Sequence, residues 1–217
     1  MKVRFQNGTI ALNFISGDTR VRIHRVRTIG AATILFLAVI GSKVQRVGAQ
    51  EQPAAAARPR LTLSTTSFED GGIIPAKYTQ LVPHPVSPEL KWSYVPENTV
   101  SFVLIVHDPD GAAHMNLEDA LHWMLFNIPG SVRELPEGAA QGPKFTDGTI
   151  QGKNGLGKAE YIGMGAGSAG PYHHYTFELF ALDRKLDLGP DAIRADVLKA
   201  IDGHILGKAV LVGRFHR

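Results

Sequence analysis

The chain has 217 residues, no cysteine, and a formal net charge of +3 from 23 Lys/Arg against 20 Asp/Glu. That length suits one domain with an appendage, and the missing cysteines exclude disulfides, thiolate metal sites, cysteine nucleophiles and a lipoprotein anchor. Residues 1–49 hold eight of the basic residues and one acid, so the remainder carries 15 basic and 19 acidic residues, a net −4 that argues against nucleic-acid binding by bulk charge.

The N-terminal segment reads as an export signal or an anchor. A basic cluster, Arg20 to Arg27, precedes the uncharged apolar run Ile29 to Ile40, and Val47-Gly48-Ala49 offers small residues for a peptidase. The apolar run is short of the ~20 residues of a comfortable membrane span. Lys43 and Arg46 lie between that run and the cleavage position, so an uncleaved anchor stays open beside a removed signal peptide. The expected organisation is therefore a signal peptide or anchor over 1–49, an Ala/Pro linker over 50–59 and a domain over 60–217, with a periplasmic or secreted location.

Within the domain, Leu61 to Phe68 alternates as a strand and Asp70-Gly71-Gly72 marks a turn. Leu81 to Pro88 carries three prolines and is irregular. Leu90 to Tyr94 is a short strand with Leu90, Trp92 and Tyr94 on one face. Two apolar runs follow, Phe102 to Val106 and Met124 to Ile128. Between them lie Asp108-Pro109-Asp110 and His122-Trp123. A residue before proline is driven to extended conformations, so the Asp-Pro-Asp segment is extended or a stiff turn. If it is extended, both carboxylates converge on one spot; turn residues alone would also explain it.

Eight glycines fall from Gly148 to Gly170, a long loop with no phosphate-loop Gly-Lys-Ser/Thr. His173-His174-Tyr175 then enters a half-buried strand in which Tyr175, Phe177 and Leu179 share one face and His173 points with Tyr175. One helix is expected over Asp191 to Ile201, with Pro190 at its first turn and an apolar stripe of Ile193, Val197, Leu198 and Ile201. Ile205 to Phe215 is a last strand. Short strands, Gly/Pro turns and one clear helix, with a few short helical turns, predict a mainly β, antiparallel sandwich.

The ordered set of motifs resembles the phosphatidylethanolamine-binding protein family, in its bacterial Raf-kinase-inhibitor-like branch. The matching pieces are Ser87-Pro88-x-Leu90-x-Trp92, Val106-x-Asp108-Pro109-Asp110, His122-Trp123 with Phe126-Asn127-Ile128-Pro129, and Leu135-Pro136-Glu137-Gly138. Gly152-Lys153-Asn154 with Gly157, Tyr161-x-Gly163 and His173-x-Tyr175 before Ala181-Leu182-Asp183 complete it, over roughly residues 60–217. The resemblance implies a β-sandwich with a small pocket for an anionic, phosphate-bearing group, lined by Asp108, Asp110, His122, Gly163, Gly165, His173 and Tyr175. Two departures stand out: Ala166-Gly167 replaces a Pro-Pro pair, and His174 replaces an arginine.

The expected function is an envelope or secreted binding protein for a small phosphorylated ligand, such as a phospholipid headgroup, with regulation of a partner protein left open. No cofactor, metal or nucleic acid is expected, and the membrane is met only through an uncleaved N-terminus. The alternative is a His/Asp hydrolase, metal-assisted or metal-free, in the same pocket. No His-Glu-x-x-His or Gly-x-Ser-x-Gly motif supports it.

Overall fold

A computed structural model describes residues 60–112, 119–140, 145–168 and 170–217. The expected signal or anchor over 1–49 and the linker over 50–59 lie outside the described residues. The strands are β1 (Thr62–Ser64), β2 (Gly72–Ile73), β3 (Leu90–Ser93), β4 (Ser101–Ala112), β5 (Asp119–Pro129), β6 (Glu134–Leu135), β7 (Ile150–Gln151), β8 (His173–Leu182) and β9 (Ile205–Phe215), with helix α1 at Arg194–Ile201. They form a three-stranded sheet, β1-β3-β6, and a six-stranded sheet, β2-β9-β8-β4-β5-β7. All strand pairs are antiparallel except β2 with β9.

The apolar runs of β4 and β5 are continuous because the large sheet is buried on both faces. Phe102, Leu104, Val106, Tyr175, Phe177 and Leu179 turn to one core, which Leu63, Leu90, Trp92 and Leu135 of the small sheet share. Val103, Ile105, Met124, Phe126 and Phe180 turn to the other, beneath Val197 and Ile201 of α1. Each large apolar side chain so buried is worth roughly 1.5–3 kcal/mol. Among the described residues no helix is long and apolar enough to cross a membrane.

Three expectations change at the element level. The first strand stops at Ser64, where Thr65 Oγ1 donates to the Glu89 carbonyl (2.6 Å) and accepts from the Ser67 N–H (3.1 Å). Such a hydroxyl turn competes with the sheet ladder. Tyr94 lies beyond β3, at φ 53° and 60% exposed, and does not share the buried face of Leu90 and Trp92. The helix begins at Arg194 and not beside Pro190, because the Asp196 carboxylate accepts the Ile193 N–H (3.1 Å) and caps it there. Ile193 and Leu198 are consequently exposed, and only Val197 and Ile201 of the expected stripe are buried.

A ladder of charges crosses the α1 side of the large sheet. Lys208 pairs with Glu178 (2.5 Å), Glu178 faces His107 Nε2 (3.5 Å), and His107 Nδ1 meets Asp119 (2.5 Å), which also binds Arg194 of α1. The His107 contact, aided by Lys208, holds the Glu178 carboxyl down to about 2. A carboxyl depressed in the fold contributes stability that is present above its ordinary range near 4.5 and is lost as pH falls toward 2.

Candidate ligand-binding site

His122, His173 and Tyr175 meet where the small-sheet side of β5 and β8 ends, and Asp108 holds one of them. The first step is a bulge. His107 pairs with Leu121 and Val106 with Trp123, so His122 is an extra residue in β5. Side-chain parity flips across it: Leu121 joins the α1-side core, whereas Trp123 joins the core that contains Tyr175. Bulges re-aim side chains in this way. The His122 ring therefore stands edge-on to Tyr175, with centroids 5.2 Å apart and planes at 83°.

The second step is a turn at the end of β4. Asp108 is buried and its Oδ1 accepts the N–H of Asp110 (3.0 Å) and of Gly111 (3.0 Å). That side-chain capture interrupts the alternation of β4, whose register slips between Asp108 and Ala112. Asp108 Oδ2 accepts from His173 Nδ1 (2.7 Å). The His173 ring lies near-parallel to Tyr175 at 6.5 Å.

The two aspartates thus have different partners, and the convergence expected from simple alternation does not occur. Asp110 is exposed, and its Oδ2 accepts both the backbone N–H and Nδ1–H of His174, each at 2.8 Å. The His174 backbone bond, then its side chain, holds the Asp110 carboxyl below the usual carboxylate range.

Both imidazoles are locked through Nδ1. His122 Nδ1 donates to the carbonyls of Ile162 (3.1 Å) and Gly163 (3.2 Å), and His173 Nδ1 to Asp108. Each ring keeps Nε2 free of hydrogen bonds to the described residues. Burial pushes the His122 pKa below its ordinary value, against the opposing pull of the Ile162 carbonyl and Asp108. Burial thus favours the neutral form of unliganded His122.

Tyr175 sits between the two rings, fully buried, and its hydroxyl makes no hydrogen bond of regular geometry. Burial first, and the Asp108 carboxylate second, push its pKa up and keep it protonated, while the nearby N–H groups of Gly165 and Ala166 pull the other way. A buried hydroxyl with a proton to donate and two backbone N–H groups suit a small oxyanion, and each imidazole adds an Nε2–H donor once it carries its second proton.

Of the sequence-predicted residues, the structure brings Asp108, His122, His173, Tyr175 and Gly165 together, and sets Asp110 to the exposed side with His174. Gly163 gives its carbonyl to His122 and is closely packed: a Cβ there would stand 2.8 Å from the Pro85 side chain and 2.8 Å from the Thr79 backbone. Sequence reasoning missed the Ala166 N–H and the Ile162 carbonyl. Neither has a local signal, because the bridge between Thr79 and Met164 joins segments far apart in the chain. Among the described residues no three His, Cys, Asp or Glu side chains gather as metal ligands.

The phosphatidylethanolamine-binding protein family model matches residues 64–216. A protein of Methanothermobacter thermautotrophicus named UPF0098 protein is 40% identical over 157 residues, covering 72% of this chain and 99% of that relative. A crystal structure described as a phosphatidylethanolamine-binding protein homologue of Chlamydia trachomatis has a TM-score of 0.63 at 32% identity, over 73% of this chain and 98% of that one. The crystal structure of Escherichia coli YbcL, described as a member of the mammalian PEBP family, gives a TM-score of 0.66 at 26% identity, over 73% and 99%. With its motifs in order, its mainly β fold and a family match across the described domain, this chain belongs to the phosphatidylethanolamine-binding protein family.

Proposed function

We propose that the chain binds a small phosphate-bearing anion at the Tyr175 hydroxyl, between the Nε2 atoms of His122 and His173 and against the N–H groups of Gly165 and Ala166. The observation that carries this reading is the buried Tyr175 hydroxyl, which makes no hydrogen bond of regular geometry. Leaving such a donor unmatched costs about 1–3 kcal/mol, and an oxyanion would satisfy it. Asp108 already accepts three donors and carries a negative charge, so its part is to orient His173 and not to grip the anion.

Binding should be linked to a proton. His122 takes up its proton at lower pH in the fold than its ordinary value of 6.5, so the unliganded protein loses stability as pH falls below that value. A phosphate beside Nε2 favours the imidazolium and reverses this. Affinity for phosphoethanolamine is therefore expected to rise as pH is lowered from about 8 to about 6, by up to about tenfold per unit for one proton taken up. Titration calorimetry in buffers of different ionisation heat measures both the affinity and the proton; an affinity that is flat, or that rises with pH, would count against the site.

The basic, apolar and small-residue order of residues 1–49 supports a location in the cell envelope. Mass spectrometry of the chain from fractionated cells tests it. A mature N-terminus near residue 50, or the full chain in the membrane fraction, is the expected outcome. Full-length chain in the cytoplasm would overturn the location.

A further inference from the structure

The segment from Ile162 to Ala166 serves the site only while its peptide groups face particular ways. The carbonyls of Ile162 and Gly163 face His122, and the N–H groups of Gly165 and Ala166 face Tyr175. The Thr79–Met164 bridge fixes one side of the segment, with the Gln80 N–H donating to the Met164 carbonyl (2.9 Å). The Tyr161 hydroxyl fixes it again through the Tyr78 carbonyl (2.7 Å).

The side chain of Gln80 adds two contacts that the bridge alone does not require. Its Nε2 donates to the Gly163 carbonyl (3.0 Å), the oxygen that also accepts from His122. Its amide also fills the place of a side chain on Gly165: a Cβ there would stand 2.5 Å from Gln80 Cδ and 2.5 Å from Oε1. Gly165 is not among the residues with positive φ. Its missing side chain answers to Gln80 and not to backbone strain.

We propose that Gln80 is a positioning residue of the anion site, clamping Gly163 and Gly165 so that the Gly165 and Ala166 N–H groups stay aimed beside Tyr175. Gln80 is itself exposed and bonds the segment and not the hydroxyl, so it acts through the backbone. The proposal rests on the anion-binding reading above. An exposed glutamine that merely decorates the surface would make the same single hydrogen bond. It would not make Gly165 and Gln80 behave as one unit.

The test is a double-mutant cycle on the full chain, using Gln80→Ala, Gly165→Ala and both together, followed by amide and imidazole NMR during titration with inorganic phosphate. Gln80→Ala is expected to weaken phosphate about fivefold, the size of one lost neutral hydrogen bond. Gly165→Ala should do the same, because its Cβ displaces the flexible Gln80 amide. The double variant should be no weaker than either single one. In the unliganded protein both single variants should raise the His122 titration, because the Gly163 carbonyl then serves His122 alone. Additive losses, or unchanged phosphate affinity and an unmoved His122 in Gln80→Ala, would overturn the proposal. If the parent chain ignores phosphate while Gln80→Ala still moves His122, the positioning role stands and the phosphate reading fails.

Discussion

Tyr175→Phe is expected to weaken phosphate binding at least about tenfold, while leaving the protein as stable as before or about 1 kcal/mol more stable. The two effects are opposite in sign because the hydroxyl has no regular hydrogen bond in the unliganded fold. Its burial costs stability that phenylalanine, of nearly the same shape, does not incur. The ring keeps its contacts with His122 and His173, since both are made by the aromatic faces and edges. Thermal unfolding with and without phosphate separates the terms. The unliganded variant should melt at or above the parent, and the shift on adding phosphate should shrink. A variant that melts several degrees lower without ligand would show that the hydroxyl has a structural partner, and the site as drawn would be wrong.

Asp108→Ala is expected to destabilise the fold by about 3 kcal/mol and to abolish phosphate binding. The carboxylate accepts three donors at once: the Asp110 and Gly111 N–H groups and His173 Nδ1–H. Hydrogen bonds to charged acceptors are worth roughly 1.5–3 kcal/mol each, and stranded buried donors cost more than exposed ones. For a domain of this size the melting temperature should fall by about 10 °C. Without its acceptor the His173 ring is free to turn, and Nε2 is no longer fixed beside Tyr175. Asp108→Asn is the informative companion. Its carbonyl oxygen still serves the turn, while its amide faces His173 poorly, so it should recover part of the stability and little of the binding. If Asp108→Ala melts with the parent, the turn is held by something else.

Much of the architecture can be read from local pattern. The strand from Ile205 to Phe215 falls where the sequence sets it, and the face of Tyr175, Phe177 and Leu179 is buried as alternation requires. The apolar runs of β4 and β5 mark strands buried on both sides. Three of the misreadings share one cause: a side chain taking a backbone hydrogen bond. Thr65 ends β1 early, Asp196 starts α1 late, and Asp108 folds the end of β4 so that Asp110 turns to His174. Propensity and periodicity carry no record of which donor a carboxylate or hydroxyl will find.

The sequence by itself determined the family, the strands β1, β3, β4, β5, β8 and β9, and the chemical types at the site: carboxylate, imidazole, phenol and a glycine-rich loop. Only the tertiary structure decided their roles. A one-residue bulge turned His122 toward Tyr175, Asp108 became the support of His173, and a bridge from Thr79 to Met164 brought Gln80 onto Gly163 and Gly165. Side-chain type is a local property of the chain, whereas the donor that each oxygen meets is fixed by register and by contacts between segments far apart in sequence.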